Sequence, residues 1–207
     1  MSFFHWFDNV YTTAFTPRDY QVELLSAAKE RNLIICLSQQ SAKEFISLKL
    51  IQELSFELRR KENRKITIVL SSSSTAYNLI NNLTDLKVIN MIDVNDKISF
   101  ENLIHYQVII METSKCLKAL EGLYLNLQCV NLIVIDDCHK KSMKHDITKI
   151  FLNHYQRITD KPKIVGLAGA IHSAGCRPSQ LGDELEFLEK LLTAKVETAS
   201  DIVTLLR

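Results

Sequence analysis

Three residues in this sequence have the chemistry to handle a phosphoryl group: Lys43 and the adjacent pair Asp136 and Asp137. Lys43 stands in "LSQQSAKEF", after the apolar run Leu33 to Leu37 and before a helical pattern. A working phosphate loop, G-x-x-x-x-G-K-[ST], uses glycines so that backbone N–H groups can close around phosphates, a lysine to reach them, and a hydroxyl to hold magnesium. Here Gln39, Gln40 and Ala42 occupy the loop, and Glu44 follows the lysine where Ser or Thr belongs. A bulky loop wraps phosphates less closely, and a carboxylate beside them adds repulsion. In isolation, Lys43 reads as an exposed lysine at a helix start, with phosphate ligation as the alternative.

Asp136 and Asp137 end the apolar run of "VIDDCHK". Carboxylates at the end of a buried strand are costly unless they bind metal, accept hydrogen bonds or face solvent. In a Walker B arrangement the first holds magnesium and the second orients or activates the attacking water. The competing reading has Asp136 merely ending the strand and Asp137 capping the next turn. Cys138 and His139 are neighbours and, on a strand, would point to opposite faces, which argues against a nucleophilic Cys/His pair.

The elements that must position these residues follow from hydrophobic patterning. Six short apolar runs, at 32–37, 65–70, 86–92, 106–111, 130–136 and 162–169, lack clean alternation and read as strands buried on both faces of a mostly parallel sheet. Helical patterns lie before, between and after them: Pro17 to Arg31, Ala42 to Arg60, Ser74 to Asn82, Ser114 to Leu120, Lys144 to Ile158 and Ser179 to Leu192. This alternation implies right-handed β-α-β units and a doubly wound α/β fold. Ligands of such sheets bind beyond the carboxyl ends of the strands, where Lys43 and the two aspartates fall. Ser71 to Ser74 read as a strand-to-helix loop with a serine cap, and Gly166, Gly169 and Gly175 as a flexible loop leading to the last helix.

Composition narrows the class. The chain has 207 residues, 46% hydrophobic and 24% charged, with a net charge of +1, so one ordinary globular domain over 1–207 is expected and bulk charge does not announce nucleic acid. Basic runs exist at "RRKENRK" and "HKKSMKH", where solvated helix ends and loops are the competing explanation. The five cysteines, Cys36, Cys116, Cys129, Cys138 and Cys176, are scattered and contain no C-x-x-C pair, which fits free thiols in a reducing compartment. Cys36 and Cys129 read as core packing. No apolar run approaches the roughly 20 residues of a membrane helix, and "MSFFHWFDN" is not patterned as a secretory signal, so no membrane and a cytoplasmic location are expected.

Taken in order, the pieces resemble the first RecA-like domain of a superfamily 2 helicase. "FTPRDYQVELL" looks like the first helix with a Q-motif-like Arg18, Tyr20 and Gln21, "LSQQSAKEF" like motif I, "IVLSSS" like Ia, "QVIIMETSKCLKAL" like Ib, "DDCH" like II and "GLAGA" like III. "DDCH" is similar to the DECH box of Dicer and its antiviral-sensor relatives. "FTPRDYQVELL", "NLIICL", "NLTDLKV" and "GLAGAIHSAGC" look like the microRNA-processing Dicers of arthropods, and "LEKLLTAKVETASDIVTLLR" like the segment after motif III.

The resemblance implies nucleotide contacts at Arg18, Gln21, Ser41, Lys43 and Glu44, magnesium at Asp136 and a vestigial catalytic acid at Asp137. It also shows three departures: the phosphate loop without its glycines and hydroxyl, aspartate for glutamate at 137, and Ala168, Gly169 and Ala170 where motif III usually carries Thr-Ala-Ser. The implied role is hairpin or double-stranded RNA recognition in microRNA processing, with no required cofactor, and with the remaining Dicer domains and a dsRNA-binding protein as partners. Neither RNA cleavage nor ATP hydrolysis is expected of this chain alone, since the ribonuclease domains and the second RecA domain that supplies arginine fingers are not in it. The rival readings are a functional Mg-ATP-dependent RNA helicase domain and a ligand-free scaffold.

Overall fold

The structure is a computed structural model that describes residues 17–92, 103, 105–169 and 181–199. The elements run α1 (Asp19–Glu30), β1 (Leu33–Cys36), α2 (Gln40–Glu53), α3 (Ser55–Leu58), β2 (Ile66–Leu70), α4 (Thr75–Leu83), β3 (Val88–Asn90), β4 (Val108–Met111), α5 (Thr113–Glu121), β5 (Val130–Ile135), α6 (Lys141–Asn153), β6 (Lys163–Ala168), α7 (Leu181–Leu192) and β7 (Lys195–Thr198). Short 3₁₀ turns at Leu127–Cys129 and Tyr155–Arg157 lead toward β5 and β6. The strands form one sheet in the order β3-β4-β2-β5-β6-β1-β7, with every adjacent pair parallel.

Each central strand is apolar on both sides because each side meets helices. On one face Leu33, Ile35, Val69, Val134 and Leu167 pack under α1, α2 and α4. On the other, Ile34, Ile68, Leu70, Ile133 and Ile135 pack under α5, α6 and α7. Consecutive residues thus enter different cores, which is why the sequence shows flat hydrophobicity instead of alternation. Among the described residues no helix is long and apolar enough to cross a membrane.

The six expected strands are present, and a seventh, β7, pairs with β1 at the sheet edge. The helix expected over Ala42 to Arg60 starts earlier, at Gln40, and breaks at Leu54, whose backbone carbonyl accepts a bond from Asn131 Nδ2 at 3.2 Å. That expected over Lys144 to Ile158 runs instead from Lys141 to Asn153 before its 3₁₀ turn. Gly166 lies within β6 and not in a loop: a Cβ there would stand 3.0 Å from Cys138 Sγ. Cys36 is half-buried, but Cys129 is exposed, contrary to the expectation of core packing, because it closes a surface 3₁₀ turn. Residues 1–16, Ala170, Gly175, Cys176, the expected helix start at Ser179 and residues 200–207 lie outside the described residues.

Candidate nucleotide site

The sheet carries Lys43 and the aspartates to the same end. Chain leaves β1 at Cys36, turns through Leu37, Ser38 and Gln39, and enters α2 at Gln40. Gln40, Ser41 and Ala42, expected as loop, therefore form the first helical turn. Gln39 is the N-cap but makes no side-chain cap bond, and its Oε1 lies 3.5 Å from the Tyr20 hydroxyl. Gln40 Nε2 donates to Glu44 Oε1 at 3.2 Å across one turn. Ser41 is exposed and Ala42 is buried in the core.

Lys43 is not the exposed lysine that its local sequence suggests: its relative exposure is 3%. Its Nζ lies 3.6 Å from Asp137 Oδ1, an ion pair longer than a good hydrogen bond. A second lysine holds the other oxygen, with Lys140 Nζ 2.6 Å from Asp137 Oδ2. Asp137 itself sits at φ 51°, a left-handed conformation in which its carbonyl accepts the Lys140 N–H at 2.8 Å. Its carboxylate thus faces two lysines and does not cap α6, whose N-cap, Lys140, makes no side-chain capping bond.

Asp136 leaves β5 with its N–H bonded to Leu70 O at 2.8 Å. One carboxylate oxygen, Oδ2, accepts from Ser71 Oγ at 3.2 Å. The other, Oδ1, is buried without a protein partner. Asp136 also lines a small cleft of about 20 Å³ with Gln40, Glu44, Ser47 and Thr75, so Glu44 shares it with a second carboxylate. Such a volume holds about one water.

The electrostatics follow from this placement. Burial, and then the charge of Asp137, push the Asp136 carboxyl above the usual carboxylate range against the opposing pull of Lys43 and Ser71. For Asp137 burial also acts upward, but the Lys140 hydrogen bond and the charges of Lys43 and Lys140 outweigh it and hold the carboxyl low. His139 is pushed toward its neutral form by burial, with Lys43 and Lys140 adding to that shift. Its Nδ1 is buried and unpartnered, and its ring lies near Gly169. Cys138 donates its backbone N–H to Leu167 O at 3.0 Å, and burial pushes its thiol up, so it is no nucleophile as placed.

The first turn of α1 reaches this end through the Tyr20–Gln39 contact, but its glutamine is committed elsewhere. Gln21 Oε1 accepts the Arg18 N–H at 2.8 Å, and the Gln21 N–H donates to Arg18 O at 2.8 Å, so Gln21 closes its own helix start. Ser74 likewise makes no side-chain cap for α4; instead Ser73 Oγ accepts the Thr75 N–H at 3.3 Å and Ser71 Oγ the Ser73 N–H at 3.1 Å. The structure gathers Lys43, Asp136, Asp137 and Glu44 into one cluster, and leaves Ser41 facing solvent. Ser71 and Lys140 complete it and went unnoticed in sequence, although Lys140 at three residues past Asp137 carries a readable signal.

No protein-family model matches the chain. Among curated proteins, it is 45% identical over 215 residues to Endoribonuclease Dcr-1 of Drosophila melanogaster, covering 99% of this chain and 9% of that relative. It is 34% identical to Endoribonuclease Dicer of Gallus gallus and 33% to that of Danio rerio, each covering 96% of this chain and 11% of the relative. The chain therefore spans about a tenth of the length of the curated relatives it matches. Among solved structures, the Hef helicase domain of Pyrococcus furiosus superposes with a TM-score of 0.70 at 20% identity, over 90% of this chain and 38% of that one.

Proposed function

Because the chain is a RecA-like, helicase-type domain of the Dicer family, we propose that it contributes to recognition of precursor hairpin or double-stranded RNA in microRNA processing without ATP hydrolysis, its nucleotide site being degenerate. The observation that carries this reading is the pairing of Asp137 with Lys140 at 2.6 Å, beside a phosphate loop that has become helix. The residue expected to work on the attacking water is held by an internal cation. Glu44 presents a carboxylate at the position of the magnesium hydroxyl and faces the same cavity as Asp136. Gln21, an expected nucleotide contact, turns its side-chain oxygen to its own helix start.

A magnesium nucleotide fits these residues poorly. Its phosphates would meet the Gln40 and Glu44 side chains where backbone N–H groups should converge, and several positioning groups are altered together, each worth ~10²-fold or more in rate. The full protein's substrates, its remaining domains, a dsRNA-binding partner and a cytoplasmic setting belong to the same reading, on the strength of the Dicer relatives.

One observation favours the rival, an ATP-using helicase domain. Asp136 Oδ1 is buried without a partner, as a metal-seeking oxygen would be. Hairpin RNA binding by the whole chain separates the two: the proposal expects affinity unchanged by added Mg-ATP and unchanged in Asp136→Asn. A nucleotide-dependent affinity that Asp136→Asn abolishes would transfer the function to the rival, and failure to bind hairpin or duplex RNA at all would remove the recognition role.

A further inference from the structure

The basic run Arg59 to Lys65 lies at the other end of the sheet, where the chain enters the amino end of β2, and it is a constructed loop. Arg59 Nη1 donates to Ser55 Oγ at 2.7 Å, and its Nη2 pairs with Asp85. Lys65 Nζ binds both Gln128 O and Asp160 Oδ2 at 2.6 Å, and its backbone N–H returns to Glu57 O at 3.2 Å. Asn63, at φ 51°, makes the reversal between these anchors. Two of the five cations in the run are thus used to hold it. Arg60 and Lys61 remain exposed, with Glu62 as the only carboxylate within the run.

Beside them Phe56 is 69% exposed, and the Arg60 guanidinium lies 5.1 Å from its ring centroid. One exposed phenylalanine alone would need no explanation, but this ring already carries a guanidinium. An aromatic ring with a guanidinium already laid on it is a started stack, and an unpaired base extends such a stack while its phosphates meet the flanking cations. An acidic peptide would use the cations and gain little from the ring. Bases of a duplex are not free to stack outward.

We propose that Phe56, Arg60 and Lys61 form a platform for an unpaired stretch of RNA, at the end of the sheet opposite the nucleotide site. It goes beyond the proposed hairpin recognition by naming a surface for it, and does not depend on the state of Lys43 or the aspartates. The three side chains lie outside the core, so their variants keep the fold.

The test is fluorescence anisotropy of an end-labelled oligouridine with the whole chain, across a salt series. Phe56→Ala is expected to weaken binding about fivefold or more, the effect of losing one base–aromatic stack, and Phe56→Trp to retain it. Arg60→Ala with Lys61→Ala is expected to weaken binding and to flatten the log–log salt slope by about 1.4, near 0.7 for each lost phosphate contact. No binding by the unaltered chain, full binding by Phe56→Ala, or an unchanged slope in the double variant overturns the platform. Competition by polyglutamate as effective as by unlabelled oligouridine would assign the surface to acidic protein and overturn it too.

Discussion

Replacing Lys43 with methionine should reveal that this lysine now serves the fold. In a nucleotide-binding loop the lysine is held for the ligand; here it is buried at 3% exposure and faces Asp137 at 3.6 Å. Removing one partner of a buried ion pair costs about 3–5 kcal/mol, because the remaining charge is stranded. Asp137 keeps Lys140 and some solvent, and Asp136 can take up a proton, so we expect about 2–3 kcal/mol for Lys43→Met near neutral pH.

The sign with pH is set by the carboxyls. Asp137 is held low in the fold, so its contribution is present above the ordinary carboxylate range and fades as pH falls through its folded value. Asp136 is held high, so charging it opposes folding as pH rises from the ordinary range through its folded value. Loss of Lys43 raises both carboxyls, Asp137 from its low value and Asp136 further above the ordinary range. The penalty of Lys43→Met should therefore be larger near pH 7.5 than near pH 5, where the stranded carboxyl has begun to protonate. Urea unfolding at the two pH values measures it, and Asp137→Asn on the Lys43→Met background should recover part of the loss. A penalty below about 0.5 kcal/mol, or one independent of pH, would refute the counter-ion role.

Other consequences test the packing around the site. Gly166→Ala places a methyl 3.0 Å from Cys138 Sγ and should destabilise by about 1–3 kcal/mol in urea unfolding, with partial recovery when Cys138 is also alanine. Asn32 Oδ1 accepts the Ile164 N–H at 2.9 Å, and its Nδ2 reaches Thr193 O at 3.3 Å, tying β1 to β6 and to the turn before β7. Asn32→Leu strands that N–H and should cost about 1–3 kcal/mol by the same measurement. Thiol labelling followed by peptide mass spectrometry should find Cys129 modified first among the described cysteines, since burial pushes Cys36 to about 11 and Cys116 to about 12. Fast labelling of Cys116 in the folded chain would contradict the packing under α5.

Six strands were readable because a parallel sheet covered on both faces writes itself as short apolar runs. The strand β7 was not, because Lys195–Thr198 is an edge strand, partly exposed along its length and only half apolar. The break at Leu54 carries no glycine or proline; it is made by Asn131, a residue distant in sequence. At the site, Lys43, Asp136 and Asp137 were legible from type and position after strands. The burial of Lys43 was not, because its neighbours come from β5 and its turn, not from its own helix. Ser71 acts through a tertiary pairing to Asp136 that no local spacing defines, whereas Lys140 pairs with Asp137 only three residues away and was legible in principle. Gln21 was expected as a nucleotide contact, but its side-chain oxygen accepts the Arg18 N–H in an equally local cap.

The most direct test of the central claim is equilibrium binding of a fluorescent ATP analogue to the folded chain, with and without magnesium, beside Lys43→Ala and Asp136→Asn. An eroded site predicts no saturable magnesium-dependent binding in any of the three. Saturable binding that requires magnesium and disappears in both variants would contradict the account and make Lys43 and Asp136 working nucleotide ligands.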